Sequence, residues 1–281
     1  MTPAFFVLAL VCAGVFGALI GSFLNVVVYR VPAGRSIVSP PSACGSCGTE
    51  IRPYDNIPVV SWLALRGRCR TCQSAISARY PLVEAATAAA FALVAWWFWA
   101  GPQALAATDA AGVTARVLTV VAFLYLTAIS IALALIDLDT HRLPNAIVLP
   151  SYAVGAVLLG AAALLGGDPF AVARAAIGAC ALFAFYLILA LVRPGGMGFG
   201  DVKLAGVLGL FLGFLGWAPL LVGAFAAFLL GGLFSLILLA GGRAGRSSGI
   251  PFGPWMLAGA WLGILAGPTI GGAYLALLGL A

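Results

Sequence analysis

Two carboxylates stand where this chain has little room for charge. They are Asp137, in Ile136-Asp137-Leu138-Asp139, and Asp201, in Gly198-Phe199-Gly200-Asp201. The 281 residues are 63% hydrophobic and 8% charged, with a mean hydropathy of +1.14. An ionised group near the middle of a bilayer costs about 2.5–3.5 kcal/mol even on the lenient insertion scale, so acids where apolar runs meet polar loops mark a site. Two carboxyl groups that share a site cannot both ionise cheaply and hold one proton between them. One can then take a proton from an attacking water while the other donates to a carbonyl oxygen, which is the chemistry of amide hydrolysis. Glycines 195, 196, 198 and 200 relieve crowding around Asp201 and let a substrate backbone come close. The competing reading is a set of loop carboxylates matched by Arg142 and Lys203. Asp139 reads as a supporting or solvated group, and His141, the only histidine, as a loop residue. Glu84 lies just inside an apolar run and calls for a buried partner or a polar cavity.

A second constellation is made of thiols. Cys44-Gly45-Ser46-Cys47 and Cys69-Arg70-Thr71-Cys72 are two CxxC pairs with 21 residues between them. Each pair supplies two thiolates from one tight knuckle, and two knuckles complete a tetrahedral all-thiolate zinc site. Such a site leaves no open position for water, so the metal would be structural. A small insert with few apolar residues needs a staple of this kind. Two disulfides are the alternative, disfavoured in a reducing cytosol. Cys12 and Cys180 stand singly in apolar runs and read as small core residues.

The elements that must position these groups are membrane spans. Apolar runs lie near residues 4–29, 82–100, 115–136, 146–165, 170–192, 203–216, 219–241 and 252–280, most near the roughly 20 residues a span needs. The fold class is therefore an all-α polytopic membrane protein with about eight transmembrane helices. The run at 203–216 is short and glycine-rich, which suggests a tilted or broken helix, and Gly267-Pro268 suggests a kink in the last one. The first run has no basic residue before it and no small-x-small cleavage site after it, so it reads as a retained span. Asp109 and Asp168 fall in short loops and read as solvated charges.

Residues 30–81 form a polar insert, giving a division into a first helix (1–29), the four-cysteine insert (30–81) and a membrane core (82–281). A net charge of +6 would raise nucleic acid as a partner for a soluble protein. Here the basic residues form no single stripe, and orientation explains them. Of the 14 Lys and Arg residues, all but Arg116 and Arg174 fall on the side of the insert, which the positive-inside rule assigns to the cytoplasm. Arg66, Arg68, Arg70 and Arg79 serve that rule and could also meet acidic lipid headgroups.

The motifs, taken in order, resemble those of the type IV prepilin leader peptidases, the membrane aspartic proteases of bacterial pilus and type II secretion systems. Gly21-Ser22-Phe23-Leu24-Asn25 through Tyr29-Arg30 is similar to the family's first-span signature. The CxxC pairs resemble its zinc motif, with Asn56-Ile57-Pro58, Ser61-Trp62-Leu63 and Arg79-Tyr80-Pro81 around them. Ile136-Asp137 through Leu143-Pro144-Asn145, the box Gly198 to Leu204, and Ile250-Pro251-Phe252-Gly253-Pro254 complete the set. Asn145 stands where many members carry aspartate. The resemblance implies that Asp137 and Asp201 are catalytic. It implies cleavage of the basic leader of prepilins and pseudopilins after a glycine, at the cytoplasmic face of the bacterial inner membrane. It also implies zinc on Cys44, Cys47, Cys69 and Cys72, and methylation of the new N-terminus by S-adenosylmethionine. No glycine-rich loop after a strand marks a place for the methyl donor. The other readings are a proton-coupled transporter using Asp137, Asp201 and Glu84 as a relay, and a zinc-stapled scaffold without chemistry.

Overall fold

In hydrocarbon every backbone N–H and C=O must be bonded within its own segment, so long apolar runs become helices. A computed structural model of the protein describes residues 3–101, 109–193, 195–241 and 251–279. Among these are nine helices: α1 (Pro3–Arg30), α2 (Val60–Ala64), α3 (Arg79–Ala100), α4 (Ala110–Thr140), α5 (Asn145–Leu165), α6 (Phe170–Val192), α7 (Phe199–Leu215), α8 (Trp217–Ala240) and α9 (Gly253–Leu277). No strand occurs among the described residues, only the isolated bridges Ala43–Glu50 and Arg68–Ala75. Each of the eight apolar runs coincides with a long helix, and seven of these helices are long and apolar enough to cross a membrane. The eighth is α7, unbroken over 17 residues, about 25 Å at 1.5 Å per residue. It is buried almost continuously from Val202 to Phe214. Helix α9 runs through Gly267-Pro268 with Pro268 inside it. Arg243, Arg246 and Ile250 lie outside the described residues.

Asp109 and Asp168 are exposed, as expected of solvated charges, and each also caps a helix start. Asp109 caps α4, its Oδ1 accepting the Gly112 N–H at 2.8 Å. Asp168 accepts the Ala171 N–H at 3.2 Å and pairs with Arg174 at 3.0 Å. Both satisfy N–H groups that a helix start leaves without partners. Cys12 and Cys180 are exposed on their helices rather than packed in a core.

The chain forms two compact units. One holds residues 1–105 with 123–132, and the other residues 106–122 with 133–281. In the first, α1 lies along α3. Lipid offers no hydrophobic drive for helix pairing, so close packing through small residues supplies it. Gly21 shows this, since a Cβ there would stand 2.7 Å from Glu84 Cα. Asn25 Nδ2 ties the end of α1 to the Tyr80 carbonyl at 3.2 Å, and the Phe98 and Phe123 rings stack at 4.1 Å. In the second unit α7 touches α5, α6, α8 and α9, and α8 pairs with α9. Backbone meets backbone where Gly178 of α6 faces Gly209 of α7.

Candidate active site and metal centre

Asp137 sits near the end of α4, and the local sequence fixes that end. His141 adopts the left-handed conformation (φ 52°, ψ 39°) and returns its N–H to the Asp137 carbonyl, at 2.8 Å, which stops the helix. The only histidine is thus a helix terminator. The Asp137 side chain is 5% exposed. Its Oδ2 accepts the backbone N–H of Gly253, the first residue of α9, at 3.0 Å. A Cβ on Gly253 would stand 2.7 Å from that oxygen, so glycine is the residue that lets the two groups meet.

Asp201 occupies the first turn of α7. Its Oδ2 accepts the Gly198 N–H at 3.1 Å, the reciprocal half of a capping box, at a helix start that favours negative charge. Of the four glycines expected to clear space, two adjoin the site. A Cβ on Gly198 would lie 3.3 Å from the Asp201 carboxylate, and one on Gly200 would lie 3.0 Å from Leu143 Cβ. Gly195 instead supplies a turn with φ 80°, and Gly196 packs on Arg193.

Leu143 links the two halves. Its side chain lies against both Gly200, beside Asp201, and Gly253, which holds Asp137. Asp137 lies within electrostatic reach of Asp201. Neither forms an ion pair with Arg142 or Lys203 among the described residues. Lys203 turns to Asn145 Oδ1 at 2.9 Å and to the Phe199 ring at 4.8 Å. Asp139 is exposed. Sequence reasoning flagged the stretch around Gly253 without seeing that its N–H holds an aspartate 116 residues away. It also missed Tyr186 of α6, 2% exposed, which packs against Phe252 at 6.3 Å and lies within electrostatic reach of Asp201. A tyrosine in a run of leucines and alanines was the available signal.

The four insert cysteines converge. Their Sγ atoms all lie within 4.8 Å of one another, and Cys44 and Cys72, from different knuckles, are 3.8 Å apart. A tetrahedron with bonds of about 2.3 Å has sulfur–sulfur edges of about 3.8 Å, so the cluster could hold a metal ion. All six cysteines are unbridged. The knuckles repeat one geometry. Cys44 and Cys69 each donate N–H to the carbonyl five residues on, at 2.9 Å, and each accepts the N–H four residues on. That fourth residue has positive φ in both, at Gly48 (72°) and Gln73 (58°). The Cys44 thiol is pulled down to about 5 by the Cys47 N–H, the Ser74 hydroxyl and the Ser46 N–H, and the Ser74 hydroxyl and N–H lower Cys72. Thiolates are the form a metal binds.

The rest of the insert is braced by the residues between the knuckles. Arg70 donates to both carboxylate oxygens of Asp55, from Nε at 2.9 and 3.0 Å and from Nη2 at 2.6 Å. Trp62 Nε1 donates to the Ile76 carbonyl at 3.1 Å. The Ser61 hydroxyl donates to the Tyr54 carbonyl and accepts the Ile57 N–H, both at 3.0 Å. Glu84 has one backbone partner. It is 8% exposed, and its Oε2 accepts the Val59 N–H at 2.6 Å. Val59 sits at φ 62°, ψ −49°, inside a turn closed by the Val60 N–H on the Pro58 carbonyl at 2.6 Å. That γ-turn is rare and strained, the more so for a β-branched residue, at a cost on the order of 1–3 kcal/mol.

Two family models match successive parts of the chain. Residues 15–98 match the bacterial peptidase A24 N-terminal domain, and residues 124–236 match the type IV leader peptidase family. The chain is similar to the prepilin leader peptidase/N-methyltransferase of Pseudomonas putida, 36% identical over 304 residues that span 99% of this chain and 97% of the relative. The protein of the same name from Pseudomonas aeruginosa is 36% identical, spanning 99% and 96%. That of Neisseria gonorrhoeae is 32% identical, spanning 92% and 91%. No solved structure matches.

Proposed function

The chain belongs to the type IV leader peptidase family, and on that premise we propose that Asp137 and Asp201 form the proton-sharing pair that cleaves the leader from prepilins and pseudopilins. The observation that carries this reading is the Leu143 contact, which joins the Gly253 that holds Asp137 to the Gly200 beside Asp201. One carboxylate takes a proton from water, and the resulting hydroxide adds to the scissile carbonyl carbon. The other, protonated, donates to the carbonyl oxygen. Collapse of the tetrahedral intermediate returns a proton to the departing amine. The Gly253 N–H fixes one carboxylate and the Gly198 N–H the other, so neither needs to reorganise during the step.

The membrane orientation fits this substrate. By the positive-inside rule, the basic residues near the aspartate ends of α4 and α7 support a site facing the cytoplasm at the inner membrane. A substrate with an apolar helix and a basic leader presents its scissile bond at that depth. A relay for proton-coupled transport would want its acids near the midplane, whereas Asp137 is three residues from the end of α4 and Asp201 is the third residue of α7.

The same relatives are named as N-methyltransferases, and the proposal extends to methylation of the amine that cleavage exposes, with S-adenosylmethionine supplying the methyl group. Cys44, Cys47, Cys69 and Cys72 would hold a structural zinc that keeps the insert folded. Incubating the detergent-purified protein with a prepilin and a labelled methyl donor, and scoring both products, tests the two activities together. Cleaved, labelled pilin is expected. Intact prepilin would refute the peptidase reading, and unlabelled cleaved product would refute the methylation.

A further inference from the structure

The peptidase chemistry uses Asp137 and Asp201 and leaves one buried carboxylate without a task. Glu84 is 8% exposed and spends Oε2 on the Val59 N–H at 2.6 Å. Among the described residues its Oε1 has no donor and no cation stands within 4.0 Å of it. Nor does it share a metal cluster there, since the four cysteines form the one group of metal-ligating side chains found. Burying a carboxylate without a cation is costly, so the position asks for a positively charged ligand. The surroundings say which kind. Ile57 and Val60, which flank the turn that holds Glu84, are 50% and 58% exposed, so apolar surface stands beside that turn. The γ-turn at Val59 aims its N–H at Glu84 and leaves Ile57 and Val60 facing outward, and strain of this sort gathers at ligand sites. A cation with apolar surface beside it is the α-ammonium of a peptide whose first residue is apolar.

We propose that Glu84 and the Ile57–Val60 turn form the site that binds the α-amine of the cleaved peptide for methylation. This rests on the methyltransferase reading above. Glu84 Oε1 holds the ammonium and takes one of its three protons, passing it to water. The nitrogen lone pair so freed accepts the methyl group of a sulfonium donor, whose carbon–sulfur electrons stay on sulfur to leave a neutral thioether. The product is a secondary ammonium, still positively charged. Val59 holds the carboxylate in place through its N–H, which is why the turn is kept strained.

The test compares two peptides that begin with phenylalanine and differ only in acetylation of the α-amine. Their binding to the metal-loaded, detergent-purified protein is measured without methyl donor. The unaltered protein should bind the free amine about tenfold or more tightly, and Glu84→Gln, which still accepts the Val59 N–H, should bind the two within about twofold. In the labelled-donor assay Glu84→Gln should lose methylation by about 100-fold or more while leader cleavage stays within about threefold. Equal binding of both peptides by the unaltered protein overturns the proposal, as does normal methylation by Glu84→Gln. Equal loss of cleavage and methylation in a folded Glu84→Gln protein would also overturn it, since that marks a structural role alone. If Glu84→Gln does not fold, the preference of the unaltered protein for the free amine decides. An unaltered protein that cleaves but never incorporates label refutes the methyltransferase reading itself, and the peptide comparison still reads Glu84.

Discussion

Replacing Gly253 by alanine changes one atom position at the carboxylate that α4 presents. The added Cβ would stand 2.7 Å from Asp137 Oδ2 and 3.3 Å from Leu143 Cδ2. Ordinary contact is about 3.5 Å, so the carboxylate must give way by about 0.8 Å. The backbone N–H is untouched, and the hydrogen bond of 3.0 Å remains available to drag the carboxylate out of place. Misplacement of a catalytic group by about 1 Å costs about 100-fold in rate. Gly253→Ala should therefore lower kcat/KM for leader cleavage by about 30- to 100-fold, or about 2–3 kcal/mol of transition-state stabilisation. Crowding costs about 1–3 kcal/mol in stability, offset by about 1 kcal/mol because alanine suits a helix better than glycine. The protein should stay folded. A cleavage assay on a prepilin, with thermal unfolding in detergent as the control, reads both quantities. Cleavage within about threefold of normal in Gly253→Ala would refute the idea that the Gly253 contact sets the position of a catalytic carboxylate.

Two further outcomes concern the insert. Replacing Cys44 and Cys47 together by serine should abolish bound metal, raise amide exchange across residues 42–76 and impair methylation more than cleavage, as metal analysis, hydrogen exchange and the paired activity assay would show. Full metal occupancy in that variant would contradict the thiolate site. The Arg70 guanidinium hydrogen-bonds Asp55 and holds its carboxyl below the usual carboxylate range. A lowered folded pKa means the stabilisation is fully present above about pH 4 and is lost as the pH falls through the lower folded value. In the metal-loaded protein, amides around Asp55 should lose protection over that acidic window, and by more than in Asp55→Asn.

The spans were legible because a bilayer leaves an apolar run few choices, and each of the eight runs became a helix. The CxxC spacing likewise carried its geometry, since a knuckle is local and its hydrogen bonds reach only four or five residues. What the sequence could not give was contact across the chain. Asp137 and Asp201 were visible as costly charges, but the groups that frame them are the Gly253 N–H at the start of α9 and the Leu143 side chain in the loop between α4 and α5. Their placement depends on how α4, α7 and α9 pack. Val59 was illegible for another reason. Propensity argues against a β-branched residue at positive φ, and only the Glu84 carboxylate in the next helix accounts for it. Asp109 and Asp168 read as solvated because a cap and a loop charge look alike until the helix start is known.

The most direct test replaces each aspartate in turn. Asp137→Asn and Asp201→Asn keep nearly the same shape and remove one member of the proton-sharing pair. Each should insert and bind metal normally while losing leader cleavage by about 10⁴-fold or more, since no remaining group can move the proton. Cleavage by either purified variant at a rate near that of the unaltered protein would contradict the two-aspartate mechanism.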